Sequence, residues 1–153
     1  MNRIIFYFCF LILFGCSGYE PLFLKKNLSF YIEDIKNINN DKITRKISKN
    51  LNRSKLKTDD KNAYVLNISS NLIDKITSKD SRGNALTYEI IINVEVKVFE
   101  KNSSLPFYTF RLNDGFNYNN QDNKFDLSRY KKNILENIID KISQDIVIKL
   151  EAI

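Results

Sequence analysis

The fold of this chain is decided by residues 88–98, which read Tyr-Glu-Ile-Ile-Ile-Asn-Val-Glu-Val-Lys-Val. Every second residue from Ile90 to Val98 is a β-branched aliphatic, and Asn93, Glu95 and Lys97 stand between them. This period of two is typical of a long antiparallel strand with one buried and one solvated face. The segment therefore predicts a strand that other elements cover on one side only.

The segments on the N-terminal side of residues 88–98 have patterns that predict two more strands and a helix. Residues 28–35 and 63–76 alternate between apolar and polar side chains, which predicts two further strands, and residues 78–84 read as a turn. Between the first two strands, residues 40–52 place an aliphatic side chain at every fourth position, which predicts an amphipathic helix.

The C-terminal third supplies one more strand and a long helix. A break at residues 102–106 returns the chain into a strand over 108–112, and the polar residues 113–124 are expected to form a loop. Residues 126–151 have helical spacing and neither Pro nor Gly, with Asp126 as the expected N-cap. The order β-α-β-β-β-α predicts an α+β fold, a four-stranded, mostly antiparallel sheet with two helices packed on one face.

Composition removes most classes of enzyme. The chain has no histidine, which excludes Ser-His-Asp and Cys-His nucleophiles and histidine-ligated zinc. Asp59, Asp60 and Asp122 lack the spacing of metal ligands, and no pair of carboxylates has a context that would raise a pKa, so a hydrolase using carboxylates alone has no support. The net charge of +6 favours anionic partners, with nucleic acid, phospholipid and phosphorylated glycolipid all open.

The first residues indicate export. Residues 4–14 are uncharged and apolar behind Arg3, the length of a secretory signal and shorter than the roughly 17 to 25 residues that cross a bilayer. A plain signal peptide and an uncleaved anchor are the two simple interpretations. The following Leu13-Phe14-Gly15-Cys16 also resembles the lipobox of bacterial lipoproteins, although Phe14 is larger than the residue usual there.

The lipobox resemblance implies a division of the chain into three parts. Residues 1–15 are then a signal peptide, residues 16–26 a tether that carries acyl chains on Cys16, and residues 27–153 a single folded domain. Ser17 stands where aspartate would signal retention in the inner membrane, so the outer membrane is the expected location.

Four segments, in their order and spacing, resemble the LPS-assembly lipoprotein family, LptE. They are Cys16–Tyr19, the Arg82–Ala85 hairpin turn, the Phe107–Arg111 strand and the C-terminal amphipathic helix. The resemblance implies a subunit with no enzymatic activity, cofactor or nucleic-acid partner, tethered by acyl chains at the periplasmic face of the outer membrane. It further implies that the subunit plugs and supports the LPS-translocating β-barrel and contacts lipopolysaccharide. A lipid-binding or phospholipid-transport accessory lipoprotein with no barrel partner is the alternative.

Candidate lipopolysaccharide contacts follow from the resemblance and from the chemistry of phosphate. The family places one basic residue before the long strand, where Arg82 stands, and another after the fourth strand, where Lys124 is nearest. Lys79 lies close to Arg82, and Arg111 is expected on the solvated face of the fourth strand. Arginine binds phosphate through two parallel hydrogen bonds. The residues alone also fit ordinary solvated surface charges.

Three aromatic residues are candidate contacts to the partner protein. Phe116, Tyr118 and Phe125 fall in or beside the stretch expected to be an Asn-rich loop, whereas Phe110 and Leu112 are expected in the core. Apolar groups rimmed by polar residues are typical of a binding patch. The alternative is that alternate members of the group pack under the two helices.

Overall fold

The computed structural model describes residues 28–39, 41–52 and 62–153 of the 153-residue chain. The signal segment, Cys16, the tether and Asp59–Asp60 lie outside the described residues. The described elements are β1 (Phe30–Asn37), α1 (Lys42–Asn52), β2 (Asn62–Lys79), β3 (Ala85–Glu100), β4 (Tyr108–Asn119) and α2 (Lys124–Glu151). This order, β-α-β-β-β-α, confirms the predicted fold class.

The four strands form one sheet in the order β1-β2-β3-β4. The pairs β2–β3 and β3–β4 are antiparallel, as predicted. Strand β1 runs parallel to β2, because α1 carries the chain back along the sheet between them, and parallel neighbours need such a crossover. The sheet is therefore mixed, with its single parallel pair at one edge.

The core lies between one face of the sheet and the two helices. Its centre is β3, where none of the side chains Ile90, Ile92, Val94, Val96 and Val98 is more than 2% exposed. Helix α1 adds Ile43, Ile47 and Leu51, and α2 adds an apolar row that includes Ile134, Ile138, Ile142 and Ile146. No described element covers the opposite face, so the strand deduced from residues 88–98 has the one-sided environment its pattern predicts.

Strand β4 is longer than the sequence pattern predicts. Residues 113–119 were expected in a loop, but they continue β4 and pair with β3 as far as Thr87 opposite Asn119. Backbone pairing with β3 outweighs the low strand propensity of this asparagine-rich stretch. Gly115 suits the pairing, because a Cβ there would lie 2.7 Å from the Ile90 carbonyl oxygen.

The start of α2 also differs from the prediction. Asn123, rather than Asp126, is the N-cap: its side chain accepts a hydrogen bond from the Phe125 N–H at 2.9 Å. Asp126 lies in the first turn, where it pairs with Arg129 at 2.9 Å. Both residue types cap helices well, and a carboxylate in the first turn still complements the helix dipole.

A polar cluster fixes the start of α1 against β2. Asp41 precedes the helix and accepts a hydrogen bond from the Thr44 N–H at 2.8 Å, an N-cap arrangement, while its second oxygen accepts the Ser70 hydroxyl at 3.0 Å. The Thr44 hydroxyl donates to Asn39 Oδ1 at 2.8 Å. Burial raises the pKa of Asp41, but the hydrogen bonds from Thr44, Ser70 and the Ile43 backbone together hold it below its ordinary value of 3.8.

Replacing Asp41 with alanine is expected to lower the free energy of unfolding by about 0.5–2 kcal/mol at neutral pH. Because the folded pKa lies below the unfolded one, this stabilisation is complete above a pH of about 4 and is lost as pH falls through the folded value. The difference between the wild type and Asp41→Ala should therefore shrink on acidification, measured by urea unfolding from neutral to acidic pH. The control is Asp34→Ala, at an exposed residue of β1. A difference independent of pH would contradict the prediction.

Candidate functional site

The turn between β2 and β3 presents Arg82 at one end of the sheet. Asp80 Oδ2 accepts the Asn84 side-chain amide at 2.9 Å, and its Oδ1 accepts the backbone N–H groups of Arg82 and Asn84, both at 2.8 Å. These hydrogen bonds, the one from the Asn84 side chain first, hold the pKa of Asp80 below its ordinary value. Gly83 takes a φ of 86°, which favours glycine. The turn is a defined platform for the exposed Arg82 side chain.

A cavity of about 780 Å³ adjoins this turn. It is bounded by the base of the β2–β3 hairpin, the end of β4 and the first turns of α2, and Lys124 forms part of its wall. Lys79 is exposed at the last position of β2, beside the turn. The fold thus brings Arg82, Lys79 and Lys124, three of the four predicted lipopolysaccharide contacts, to the same end of the domain.

Lys124 and Lys131 line the cavity at this end, whereas Lys79 and Arg82 lie beside it. The wall includes Asp74, Asp80 and Asp122 as well as Lys124 and Lys131. Asp74 forms an ion pair with Lys131, and Asp80 is engaged in the turn. Among the described residues, Lys79, Arg82 and Lys124 have no carboxylate partner. An anion is therefore attracted to these three cations.

Arg111 lies elsewhere. It is on the solvated face of β4, as predicted, directly opposite Glu95 of β3. Its Nη2 and Nε atoms donate to the same Glu95 oxygen at 2.7 and 2.8 Å. The hydrogen bond from Arg111 is the main reason that the pKa of Glu95 is below its ordinary value. Arg111 is thus engaged within the sheet, and the structure does not bring it to the hairpin end.

The predicted loop placement of the aromatic residues is wrong. Phe116 and Tyr118 are part of β4, and Phe125 is in the first turn of α2, because strand pairing and the Asn123 cap order this stretch. Tyr118 is only 5% exposed and stacks on Tyr88 at 5.3 Å. Burial, and then the nearby Asp74 and Tyr88, raises the pKa of Tyr118 to about 12. Tyr118 therefore presents no free surface to a partner.

Phe116 and Phe125 remain exposed. The exposed fractions of their side chains are 48% and 70%. Phe116 borders a smaller cavity of about 370 Å³ next to Tyr130 of α2, and Phe125 lies under the Arg129 guanidinium at 5.7 Å from the ring centre. These two residues are the accessible members of the predicted aromatic group.

Sequence reasoning missed four lysines that the fold brings to one groove between α1, α2 and β2, here named the basic groove. They are Lys42, Lys46, Lys131 and Lys132. The spacing of Lys42 and Lys46 places them on one face of a helix, which is a signal that the sequence contains. Their position opposite Lys131 and Lys132 depends on contacts between segments far apart in the chain.

Neither described helix combines the length and apolar character needed to cross a membrane. The described part of the chain also contains no cluster of three or more aspartate, glutamate, cysteine or histidine side chains that could hold a metal ion.

Fold and site together define a small α+β domain that presents cations from a rigid hairpin. Solved structures share this fold: rare lipoprotein B from Shewanella oneidensis is 19% identical, with a TM-score of 0.57 and coverage of 79% of this chain and 92% of that one. A minor lipoprotein from Acinetobacter baumannii is 15% identical, with a TM-score of 0.60 and coverage of 82% and 94%. Lipoprotein B from Nitrosomonas europaea is 14% identical, with a TM-score of 0.57 and coverage of 89% and 92%. At these identities the similarity shows the fold alone.

The family is shown by a direct match to the sequence. The model of the lipopolysaccharide-assembly family LptE matches residues 29–150. This chain therefore belongs to the LptE family of lipopolysaccharide-assembly lipoproteins of the outer membrane, which confirms the resemblance predicted from the sequence. No curated protein sequence gives a significant match.

Proposed function

We propose that this chain is a non-catalytic subunit, tethered through acyl chains on Cys16 at the periplasmic face of the outer membrane, that binds and supports the LPS-translocating β-barrel. The observation that carries the proposal is the family match over residues 29–150. The lipobox at Leu13–Cys16 supports the tether. Phe116 of β4 and Phe125 of α2, whose side chains are exposed, are the proposed contacts to the barrel.

The same subunit contacts lipopolysaccharide through the hairpin end. The Asp80 carboxylate fixes the backbone of the turn that carries the exposed Arg82 side chain. Lys79 and Lys124 lie at the same end and have no carboxylate partner in the described part of the chain. Lipid A carries phosphates, and an exposed guanidinium can bind phosphate with two hydrogen bonds. Arg111 is the weakest of the four candidates, because Glu95 already occupies its guanidinium.

Reversing the charge of Arg82 tests this contact. We expect Arg82→Glu to weaken binding of the mature protein to purified lipopolysaccharide by about tenfold or more, since hydrogen bonds to charged groups contribute roughly 1.5–3 kcal/mol. Folding should be unaffected, because the side chain is exposed. The matched control is Lys149→Glu, which makes the same kind of change in the last turn of α2, about 37 Å of helix from Lys124. Equal binding by Arg82→Glu and the wild type would remove Arg82 from the site.

The barrel partner is tested separately by affinity capture from detergent-solubilised outer membranes. We expect the tagged protein to retain a large β-barrel protein. Recovery of soluble periplasmic proteins alone, together with co-purified phospholipid, would favour the phospholipid-transport alternative. Substitution of both Phe116 and Phe125 by serine should reduce barrel capture while leaving lipopolysaccharide binding unchanged.

A further inference from the structure

Strand β2 extends well beyond its neighbour β1. The two strands pair from Phe30 opposite Asn62 to Asn37 opposite Ile68, and the Ile38 N–H donates to the Ile68 carbonyl at 2.9 Å. Strand β2 continues to Lys79 and pairs with β3 along this extension. No described strand pairs with its other side beyond Ser70. Within the described residues, the second half of β2 is therefore a free sheet edge.

The backbone groups at this edge can be assigned by alternation. The Asn39 side chain takes the place of a further β1 residue: its amide donates to the Ser70 carbonyl, and its Oδ1 accepts the Ser70 N–H at 3.4 Å. Ile68 and Ser70 thus direct their backbone groups away from β3. Because the direction repeats every second residue, Leu72, Asp74 and Ile76 present the next outward N–H and C=O groups.

This free edge is only partly protected. Natural edge strands are blunted by charges, by proline or by short length. Here Leu72, Ile73 and Ile76 are 39%, 37% and 46% exposed. The two charges between them are already paired inside the fold, Asp74 with Lys131 of α2 and Lys75 with Glu89 of β3 at 2.7 Å. The edge therefore exposes three aliphatic side chains and two charges that are already paired, and its outward backbone groups are open to strand addition.

The basic groove lies directly beside this edge. It has a volume of about 740 Å³ and an apolar floor that includes Leu72, Leu135 and Ile139. Two of its four lysines are already paired, Lys46 with Glu136 at 3.2 Å and Lys131 with Asp74, whereas within the described ranges Lys42 and Lys132 pair with no carboxylate. A strand added to β2 would turn every second side chain toward this groove, where acidic side chains are complementary.

We propose that the edge from Leu72 to Ile76 and the basic groove together bind an extended acidic segment of a partner protein by β-strand addition. The outward N–H and C=O groups of Leu72, Asp74 and Ile76 form the backbone hydrogen bonds. The unpaired groove lysines, Lys42 and Lys132, select acidic side chains at alternate positions. A second copy of this chain fits less well, because edge-to-edge pairing would bring two lysine-lined grooves together. This surface includes none of Lys79, Arg82 and Lys124, although Asp74 and Lys131 also line the cavity at the hairpin end, and it goes beyond the proposed function.

The test uses the full mature chain and a blocked eight-residue peptide that alternates valine and glutamate. A peptide with lysine at every glutamate position is the control, with the same alternation and opposite charge. We expect the acidic peptide to slow hydrogen exchange at the Leu72, Asp74 and Ile76 amides, and to bind at least about tenfold more tightly than the basic peptide. Equal binding of the two peptides, or protection located elsewhere, would overturn the proposal.

Two variants at one position separate backbone pairing from charge. Asp74→Pro removes an outward N–H that the β2–β3 ladder does not use, and proline is tolerated at such edge positions. Asp74→Ala keeps the N–H and removes the same carboxylate. We expect the acidic peptide to bind Asp74→Pro about tenfold more weakly than Asp74→Ala. Equal affinities of the two folded variants would refute strand addition.

Lys132→Glu keeps the proposal testable if the proline variant does not fold. This substitution should weaken binding of the acidic peptide and strengthen binding of the basic one. If the ratio of the two affinities stayed the same as in the wild type, the role of the groove would be contradicted. Arg82→Glu should bind the acidic peptide as tightly as the wild type does. The outcome for the lipopolysaccharide site can therefore be distinguished from the outcome for strand addition. Sedimentation of the wild type should show a monomer. If the wild type were a dimer and the Asp74→Pro variant a monomer, the edge would instead bind a second copy of this chain.

Discussion

Replacing Cys16 with alanine is expected to release the mature protein from the membrane fraction. If the lipobox is processed, the Cys16 thiol carries acyl chains, and each methylene group that enters the bilayer contributes about 0.8 kcal/mol to anchoring. Several chains of ordinary length hold a protein at a membrane almost permanently, whereas neither described helix of the folded part can span one. Loss of this single sulfur atom should therefore change the location of nearly all the protein.

The measurement is membrane fractionation combined with the intact mass of the product. Cys9→Ala is the matched control, because Cys9 lies in the apolar part of the signal segment and leaves with it. The control should remain at the membrane with a mass increased by acyl chains. An unmodified Cys16 in the wild type, in protein that fractionates as soluble, would disprove the anchor.

Replacing Ile142 with alanine should lower the free energy of unfolding by about 2–5 kcal/mol. Ile142 is completely buried in the middle of α2, where it packs into the core beneath the helix. Removing its outer carbon atoms loses their transfer free energy and leaves a cavity, since close-packed surroundings relax only in part. For a domain of ordinary stability, this is a large fraction of the total.

The matched control for this prediction is Ile148→Ala on the same helix. Ile148 is 47% exposed, so the same deletion and the same change in helix propensity should alter the free energy of unfolding by only about 0.5 kcal/mol. Urea unfolding of both variants and the wild type gives the values. Similar losses in the two variants would mean that α2 does not cover the core as described.

The sequence predicts those parts of the fold in which the pattern of apolar and polar residues within one segment follows the burial of its side chains. The alternation from Ile90 to Val98 reflects one buried and one solvated face, and the structure has both. Residues 113–119 could not be assigned in this way. Their strand state comes from pairing with residues 87–93, and an asparagine-rich sequence carries no sign of that neighbour.

The sequence predicts which residues belong to the hairpin site better than it predicts how they are arranged in space. Arg82 could be placed because Gly83 and the flanking polar residues mark a turn. Tyr118 was misplaced, because its burial depends on Tyr88 and Tyr130 approaching from β3 and α2. The sequence does contain a signal for the free edge of β2. The predicted strands at 28–35 and 63–76 differ in length, so the shorter strand cannot pair with the longer one along its whole edge. That signal becomes usable only once the two strands are known to be neighbours.

Helix α2, the last element of the chain, covers the apolar face of β3, and this order sets a condition on biogenesis. Until residues 124–151 have been synthesised and have docked, the row from Ile90 to Val98 has no complete cover. Before α2 docks, the strands expose apolar surface, and an incompletely folded chain of this kind is prone to aggregation. A chain cut short within α2 should consequently be degraded or aggregate, even though every strand is intact.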